Sequence, residues 1–187
     1  MINKLKLPFT FDPALLKEDL NKVEASDWIK HFNKSDYEGE WEGAALRGKK
    51  DAVHPILRLA ANPGVTEFSD YELLNECSYF KYVADTFECP KMYIRLLSLK
   101  PGSVIKEHCD PDLGYEEGDI RIHVPVKTNE NVIFTLNGER VIMNEGETWY
   151  LNFSLPHSIT NAGNEDRVHL ILDCKVNDWV RELFNTC

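Results

Sequence analysis

The sequence predicts a mainly β fold with a jelly-roll core, and three observations support this prediction. After Pro90 the chain becomes a series of about eight short β-rich runs separated by turn residues. Asn137-Gly138, between two of these runs, is a strong signal for a two-residue hairpin turn. The segment Val176–Phe184 has the apolar spacing of an amphipathic C-terminal helix. Eight short antiparallel strands favour two packed sheets, which is the double-stranded β-helix or jelly roll.

The part of the chain before Pro90 carries helical or irregular signals. Asp12-Pro13 begins a short helix that we expect to end at Leu20, because proline is favoured in the first turn of a helix. The segment Trp28–Gly48 is aromatic and punctuated by glycine, which favours a packed loop or an edge strand. Asn62-Pro63-Gly64 predicts a turn. Apolar residues from Tyr71 to Thr86 predict one or two helices that pack on the sheet.

These elements predict a single domain of three parts. Residues 1–90 form an N-terminal helical and irregular part that packs on the core, residues 91–175 form the jelly-roll core, and residues 176–187 form the C-terminal helix. The predicted core strands are Lys91–Leu99, Ser103–Lys106, Ile120–Val126, Asn131–Leu136, Glu139–Met143, Thr148–Leu151, His157–Thr160 and Arg167–Lys175.

Composition narrows the function classes. The chain has 187 residues, enough to bury a substantial core, and a formal net charge of −10. Nucleic acid and anionic membrane surfaces both call for a basic patch, so a small-molecule or peptide substrate is favoured by elimination. The sequence has neither a signal-peptide pattern nor an apolar run of membrane-spanning length, so we expect a soluble, cytoplasmic protein. The five cysteines include no Cys-x-x-Cys pair, so neither a structural zinc site nor a disulfide framework is indicated.

A candidate metal site is formed by His108, Asp110 and His157. Two imidazoles and one carboxylate on one face of a metal are the ligand set of non-haem Fe(II) oxygenases. The i, i+2 spacing of His108 and Asp110 fits a strand, where alternate side chains point the same way, so Cys109 between them would point away. The pattern His-x-Asp…His alone is weakly specific, because a chain with six histidines can produce it by accident.

Arg167 gives the pattern more weight. It lies in the apolar run Arg167-Val-His-Leu-Ile-Leu-Asp173, which predicts a buried strand. Oxygen activation at Fe(II) needs extra electrons, for which an oxidisable 2-oxoacid is a common source. A guanidinium is well shaped to hold the far carboxylate of such an acid by two parallel hydrogen bonds, so the arginine predicts 2-oxoglutarate as cosubstrate. The alternative is that Arg167 pairs with Glu165 or Asp166 on the surface.

Six short blocks follow one another in order over about eighty residues. They are Arg95-Leu-Leu-Ser-Leu-Lys-Pro101-Gly102, His108-Cys-Asp110, Arg121-Ile-His123-Val-Pro125, Gly146-Glu-Thr-Trp149, Pro156-His157-Ser-Ile-Thr-Asn161 and Arg167-Val-His-Leu-Ile-Leu-Asp173. Together the six blocks are far more specific than any one of them. Through these blocks, the stretch from Tyr93 to Cys174 resembles the aspartyl/asparaginyl β-hydroxylase family of Fe(II)- and 2-oxoglutarate-dependent dioxygenases. Trp28-x-x-His31 and Tyr37-x-Gly39-x-Trp41 are similar to the N-terminal part of bacterial members.

The resemblance implies a role for each matched residue. It makes His108 and His157 iron ligands and Arg167 the clamp on the distal carboxylate of 2-oxoglutarate. It also directs His123 towards the cosubstrate, and it puts Arg121 near the cosubstrate or a substrate carboxylate. The jelly roll expected from the strands is also the architecture of cupins.

Two acidic residues qualify the resemblance. Some members of the family lack the carboxylate ligand, whereas this chain has Asp110 at the expected place, which favours the three-residue triad. Asp119 stands where substrate-binding arginines occur in members that act on acidic side chains, so an aspartyl substrate is not assumed. The loop from Asp112 to Gly118 is interpreted as a solvated lid over the site.

Four further side chains have less certain roles. His31 lies near aromatic residues and is interpreted as a packed residue rather than a substrate contact. His54, which precedes Pro55, and His169, which lies two residues from Arg167 on a strand, are both candidates to point into the cavity. The resemblance slightly favours a substrate-facing Arg95.

Three functions from different classes remain. The leading one is a dioxygenase that hydroxylates an amino acid, a peptide side chain or another small metabolite and releases succinate and CO2. The second is a cupin-like hydrolase or isomerase that uses zinc or manganese in the same triad. The third is a non-catalytic small-molecule sensor or binding protein, against which the complete set of metal and cosubstrate residues argues.

Overall fold

The computed structural model describes residues 1–62 and 64–187. The centre of the predicted turn at Asn62-Pro63-Gly64 therefore lies outside the described residues. The strands are β1 (Lys4–Thr10), β2 (Ile29–Lys30), β3 (Tyr37–Glu38), β4 (Trp41–Lys49), β5 (Phe68–Asp70), β6 (Lys91–Leu99), β7 (Val104–His108), β8 (Asp119–Lys127), β9 (Val132–Leu136), β10 (Glu139–Val141), β11 (Glu147–Leu151), β12 (His157–Asn161) and β13 (Arg167–Lys175). The α-helices are α1 (Pro13–Leu20), α2 (Pro55–Leu59), α3 (Glu72–Glu76), α4 (Ser78–Asp85) and α5 (Asp178–Thr186).

Two antiparallel sheets face each other. The larger sheet has the order β1-β11-β8-β13-β6-β4-β2, with β5 pairing to β4, and the smaller sheet has the order β10-β9-β12-β7-β3. Strands that are distant in sequence alternate within each sheet, as the connections of a jelly roll require. The predicted fold class, a mainly β double-stranded β-helix of cupin-like type, is confirmed.

The eight predicted core strands are all present, with small shifts in their ends. Asn137 and Gly138 have φ values of +49° and +78°, as the mirror-image hairpin turn between β9 and β10 requires. Strand β7 extends to His108, two residues beyond its predicted end. Asp110 follows the strand, where its backbone N–H donates to the Phe153 carbonyl at 2.9 Å. His108 is therefore held by the end of a strand and Asp110 by a loop contact, whereas the sequence predicted that one strand holds both.

The expectation that residues 1–90 are helical or irregular is wrong for β1, β4 and β5, whereas β2 and β3 are edge strands, one of the two alternatives expected for Trp28–Gly48. Strand β1 pairs with β11, and β4 lies beside β6 within the large sheet. The alternation Lys4-Leu5-Lys6-Leu7 was a strand signal that could have predicted β1. Strand β4 gave no such signal, because its centre is Gly43-Ala44-Ala45. Gly43 is needed there, since a Cβ atom would lie 2.5 Å from Cδ1 of Leu59 in α2.

The predicted helices are confirmed. Helix α1 begins after Asp12, whose carboxylate accepts from the Ala14 N–H at 2.8 Å and so caps the helix. Helices α1, α4 and α5 bury their apolar sides against the outer face of the large sheet. A second apolar cluster, which includes Trp41, Phe134 and Phe153, lies between the two sheets. Among the described residues, no helix combines the length and apolar character needed to cross a membrane.

The residues of β13 alternate between these two environments. Val168, Leu170, Leu172 and Cys174 belong to the core under the helices. The intervening residues Arg167, His169, Ile171 and Asp173 are also buried and have the opposite phase. The inner face of the large sheet is therefore the polar one, and it faces the smaller sheet.

Candidate active site

A cavity of about 1040 Å³ opens between the two sheets. Its wall includes inner-facing residues of the large sheet, the ends of β7 and β12, and segments 61–66 and 110–113, of which Pro63 is not described. All six residues predicted for the site line this one cavity. They are His108, Asp110, Arg121, His123, His157 and Arg167.

The two predicted histidine ligands meet across a strand pair. His108 ends β7 and His157 begins β12, and the two residues are register partners with ring centroids 4.3 Å apart. Asp110 lies on the same side, with Oδ1 3.7 Å from Nε2 of His108. One potential ligand atom from each of the three residues lies within 4.8 Å of the other two. The three side chains can thus reach a single metal ion.

Hydrogen bonds fix which ring nitrogen each histidine offers. Nδ1 of His108 lies 2.7 Å from the Lys106 carbonyl oxygen, and Nδ1 of His157 lies 3.0 Å from the Leu155 carbonyl oxygen. Because a carbonyl only accepts, each neutral ring carries its proton on Nδ1, and each Nε2 is left as a metal donor. Burial lowers the pKa of His157 to about 4, so this ring is neutral near pH 7 and ready to bind a cation.

The third donor is an ionised carboxylate. Burial acts to raise the pKa of Asp110, but the positive charge of Arg121 and its hydrogen bond to the carboxylate outweigh burial, and the pKa is lowered overall. Two imidazoles and one carboxylate, open to a cavity, fit the ligand set of non-haem Fe(II). Cys109, between His108 and Asp110, is exposed.

Arg167 is a buried cation without an anionic partner among the described residues. Its side chain is 2% exposed, and its guanidinium lies 5.9 Å from the centroid of the Phe134 ring. Its Nη2 donates to Nδ1 of His169 at 3.0 Å, and its buried Nε has no partner. Burial lowers the pKa of Arg167 to about 9. An uncompensated buried charge is costly, so this guanidinium calls for an anionic ligand from the cavity.

The alternative that Arg167 forms a surface ion pair is wrong. Asp166 instead contacts Lys100 at 2.8 Å, and Glu165 lies 3.6 Å from Lys127. The alternation along β13 explains the difference, because it places Arg167 on the inner face, away from both neighbouring acids.

Two histidines connect Arg167 to the rest of the site. Nδ1 of His169 lies 3.2 Å from Nδ1 of His123, whose ring stacks on Phe153 with centroids 4.9 Å apart. Burial lowers the pKa of both histidines well below the ordinary value, so both rings are neutral. Nε2 of His123 is buried and has no hydrogen-bond partner. It is a second polar atom at this end of the cavity that lacks a partner.

The family model described as aspartyl/asparaginyl beta-hydroxylase matches residues 13–176. The chain belongs to the aspartyl/asparaginyl β-hydroxylase family. It is 28% identical over 167 residues to the L-proline cis-4-hydroxylase of Rhizobium meliloti (strain 1021). This alignment covers 87% of the present chain and 57% of that protein. The chain therefore spans little more than half the length of this curated relative.

Solved structures share the fold of this family member. An oxidoreductase of the 2OG-Fe(II) oxygenase family from Burkholderia pseudomallei has a TM-score of 0.60 at 10% identity, covering 92% of this chain and 85% of that chain. A viral collagen prolyl hydroxylase from Paramecium Bursaria Chlorella virus-1, solved as a 2OG complex, has a TM-score of 0.54 at 11% identity. That match covers 94% of this chain and 97% of the viral chain. At such low identity these matches support the fold alone.

Arg121 has partners within this chain that the family resemblance did not imply. It was expected near the cosubstrate or a substrate carboxylate, and it does line the cavity, but its donors bind carboxylates of this chain. Nε donates to Oδ1 of Asp173 at 2.7 Å, and Nη1 donates to Oδ2 of Asp110 at 2.6 Å. Arg121 therefore links a presumed metal ligand to a buried acid, rather than standing as a free cation.

Asp173 is a site residue that the sequence interpretation missed. Its carboxylate is buried and accepts from both Arg121 and Arg95. Arg95 also donates to the Leu59 carbonyl at 3.0 Å, and it lines the cavity, as the slight preference for a substrate-facing role expected. An acid in an apolar strand, in phase with Arg167 and His169, was the signal that could have identified Asp173.

The remaining histidine interpretations have mixed outcomes. His31 stacks on Trp41 with ring centroids 3.6 Å apart, so it is a packed residue as expected, and it also lines the outer cavity. The idea that His54 points into the cavity is wrong. His54 precedes Pro55 at the start of α2, where its Nδ1 accepts from the Ile56 N–H at 3.2 Å and caps the helix.

The predicted lid is more firmly attached than expected. The Leu113 carbonyl accepts from the N–H groups of Phe153 and Ser154 at 3.1 and 3.2 Å. Tyr115 stacks on Phe184 of α5 with ring centroids 4.9 Å apart. From the segment Asp112–Gly118, only Asp112 and Leu113 line the cavity, so the solvated-lid interpretation is wrong for the part that contains Tyr115. Asp119, after this loop, lines the cavity and contacts Lys175 at 2.6 Å.

Proposed function

We propose that this chain is an Fe(II)- and 2-oxoglutarate-dependent dioxygenase that hydroxylates an amino acid, a peptide side chain or another small metabolite. The proposal includes release of succinate and CO2 as coproducts. Membership of the aspartyl/asparaginyl β-hydroxylase family supports the reaction class. The geometry of the cavity supports the division of roles among its residues.

The observation that carries the proposal is the environment of Arg167. A buried guanidinium with no carboxylate partner in the described chain shares one cavity with a possible metal triad. A metal site alone would also suit a zinc or manganese hydrolase. The combination with an anion-seeking cation favours a cosubstrate that has one end on the metal and a carboxylate at the other end.

His108, Asp110 and His157 would hold the metal. When bound, Fe(II) would supply dioxygen activation, coupled to oxidative decarboxylation of 2-oxoglutarate. The hydrogen bonds to Lys106 and Leu155 hold both imidazoles in the ligating tautomer without any rearrangement.

Arg167 would bind the distal carboxylate of 2-oxoglutarate. Its hydrogen bond to His169 orients the guanidinium, and the unpartnered Nε2 of His123 offers a further polar contact. Phe134 and Phe153 are almost fully buried beside these groups, and they would exclude water from the cosubstrate. A low-dielectric surround strengthens each of these charged contacts.

L-Proline is the first substrate to test, because the curated relative is named an L-proline cis-4-hydroxylase. The outer cavity combines aromatic residues such as Trp41 and Tyr93 with charged residues such as Arg95, which suits an amino acid that has an apolar ring or chain. We further propose that residues 1–187 act as one domain. Strands β1 and β4 support this, since they complete the sheet that carries the site.

The decisive experiment is an anaerobic titration with Fe(II) and 2-oxoglutarate. The wild type should give the weak visible charge-transfer band of a metal-chelated 2-oxoacid, and in air it should form succinate with L-proline or another member of an amino-acid and metabolite panel. Arg167→Met should lose the band at 2-oxoglutarate concentrations that saturate the wild type. Arg140→Met, which removes an exposed arginine, is the matched control and should behave as the wild type.

The same experiment separates the alternatives. Absence of the band and of succinate with every substrate in the panel would refute the proposal. Turnover that persists without oxygen would favour a zinc or manganese hydrolase or isomerase. Binding of 2-oxoglutarate without oxygen uptake across the panel would favour a sensor.

A further inference from the structure

We propose that Asp173 is a positioning residue that acts through Arg121 to present a single oxygen of Asp110 to the metal. The inference rests on the metal site of the proposed function. It assigns Arg121 a task beyond the position near the cosubstrate or a substrate carboxylate that the family resemblance implied. It also gives a reason for a buried acid to lie in the wall of the cavity.

The first step is the contact between Asp173 and Arg121. The two residues are register partners on β13 and β8, so their side chains project side by side from the inner face. Oδ1 of Asp173 accepts from Nε of Arg121 at 2.7 Å, and Oδ2 accepts from Nη2 at 3.2 Å. This two-bond contact fixes both the position and the plane of the guanidinium.

The second step is the contact between Arg121 and Asp110. With Nε and Nη2 engaged, Nη1 of Arg121 donates to Oδ2 of Asp110 at 2.6 Å. Oδ1 is the oxygen that lies towards His108. The two oxygens of Asp110 are thus distinguished, because Oδ2 accepts a charged hydrogen bond and Oδ1 lies towards His108.

Asp110 needs this support because it is not part of a strand. It lies beyond the end of β7, and its side chain is 33% exposed, against 3% for that of Asp173. A carboxylate that binds a metal through one oxygen occupies one coordination position, whereas binding through both oxygens would occupy two. Holding Oδ2 on Arg121 would therefore keep one more position open for cosubstrate and dioxygen.

Charge balance supports the same assignment. Arg95, Arg121, Asp110 and Asp173 form a cluster of two cations and two anions, with Asp173 bonded to both arginines. Loss of the Asp173 charge would leave two guanidinium groups opposed by Asp110 alone. The excess positive potential would disfavour a divalent cation beside them, in addition to releasing Arg121 from its position.

The test measures metal binding rather than turnover. Mn(II) affinity can be followed by the EPR signal of the free ion, and the Co(II) absorption spectrum reports the coordination of the bound ion. Asp173→Asn and Arg121→Lys should each weaken Mn(II) binding about 10- to 100-fold, the usual effect of removing a group that orients a ligand. Both variants should also alter the Co(II) spectrum, which a loss of stability alone would not do in a folded protein.

Two controls separate this role from general effects. Arg95→Met removes the other arginine on Asp173 without touching Asp110, so it should keep the wild-type Co(II) spectrum. Asp70→Asn disrupts an Arg–Asp pair of similar chemistry, between Asp70 and Arg47, that lies outside the cavity. It should leave both metal readouts unchanged. In the double variant Asp173→Asn/Arg121→Lys, the loss of Mn(II) binding free energy should be smaller than the sum of the two single losses, because Asp173 acts through Arg121.

The outcomes are distinct. Folded Asp173→Asn with wild-type Mn(II) affinity and Co(II) spectrum would overturn the inference while leaving the metal site intact. If Asp173→Asn does not fold, Arg121→Lys decides in the same way, since it keeps the positive charge and loses the planar fork. A wild-type protein that binds neither ion would remove the proposed function and the inference together.

Discussion

His108 and His157 lie directly opposite each other on β7 and β12, with ring centroids 4.3 Å apart. The two residues are far apart in sequence, and the jelly-roll topology brings them into contact. His157→Ala removes one of the two imidazoles at a position where nothing nearby can replace it. We expect turnover to fall to background. Mn(II) affinity should fall further than the loss of about 10- to 100-fold that is typical for residues that only orient a metal ligand.

Metal titration and succinate formation check this expectation. His54→Ala is the matched control, because His54 caps α2 and lies outside the cavity. Wild-type metal affinity in His157→Ala would mean that the ion binds elsewhere.

His169 should affect the cosubstrate and not the metal. It accepts a hydrogen bond from Arg167 at 3.0 Å, and its replacement by leucine removes that acceptor while keeping an apolar shape. A hydrogen bond to a charged group is worth about 1.5–3 kcal/mol, so His169→Leu should weaken 2-oxoglutarate binding roughly 10-fold or more. Anaerobic titration of the visible band measures this change, and Mn(II) affinity should stay at the wild-type value.

His169→Gln provides the rescue for the same prediction. Its amide oxygen can accept from the guanidinium, so affinity for 2-oxoglutarate should recover in part. Equal losses in the leucine and glutamine variants would show that packing, rather than the hydrogen bond, is what His169 contributes.

His31 should make stability depend on pH. Burial lowers the pKa of His31 to about 4, whereas an unfolded histidine titrates near 6.5. Between these values the unfolded chain binds the proton and the folded chain does not, so the free energy of unfolding falls as pH decreases through this window. The ring is partly exposed, which limits the effect to about 1–2 kcal/mol.

Chemical denaturation at pH 7, 5.5 and 4 tests this prediction. His31→Phe keeps a ring that can stack on Trp41 but cannot titrate, so it should show a shallower loss of stability on acidification. Identical pH profiles for wild type and variant would assign the acid sensitivity to other groups, such as His157.

Gly146 should be far less replaceable than Gly102. Both have positive φ, +78° and +74°, which costs an L-residue about 1–2 kcal/mol. A Cβ at Gly102 meets nothing within 4 Å, whereas a Cβ at Gly146 would overlap the Phe11 carbonyl oxygen. Gly146→Ala should therefore reduce the free energy of unfolding by about 3 kcal/mol or more, and Gly102→Ala by only the backbone strain. Urea denaturation of the two variants should show this difference.

Much of the fold was predictable because its signals are local. The alternation within β8 and β13, and the turn at Asn137-Gly138, depend on neighbouring residues only. The apolar run of β13 predicts a buried Arg167, which the structure confirms. The convergence of His108, Asp110 and His157 was predictable from the combination of motif and fold class, and their role as ligands stays a prediction.

The parts that were missed depend on distant pairing. Strand β4 has a centre of glycine and alanine, and only its neighbours β6, β2 and β5 make it extended. The partners of Arg121 were missed for the same reason, because its contact with Asp173 is set by the register of β8 against β13. No residue next to Arg121 in the sequence indicates where its guanidinium bonds.

The alternating burial of β13 limits which amino-acid substitutions this strand can accept. Every residue from Arg167 to Cys174 is buried, half of them beneath the helices and the other half on the inner face of the sheet, where Arg167 and Asp173 line the cavity. A substitution anywhere along that strand disturbs either packing or chemistry. New substrate preferences are therefore easier to acquire at the rim, where residues 64–66 and 111–113 border the opening, and directed libraries for altered selectivity should begin there.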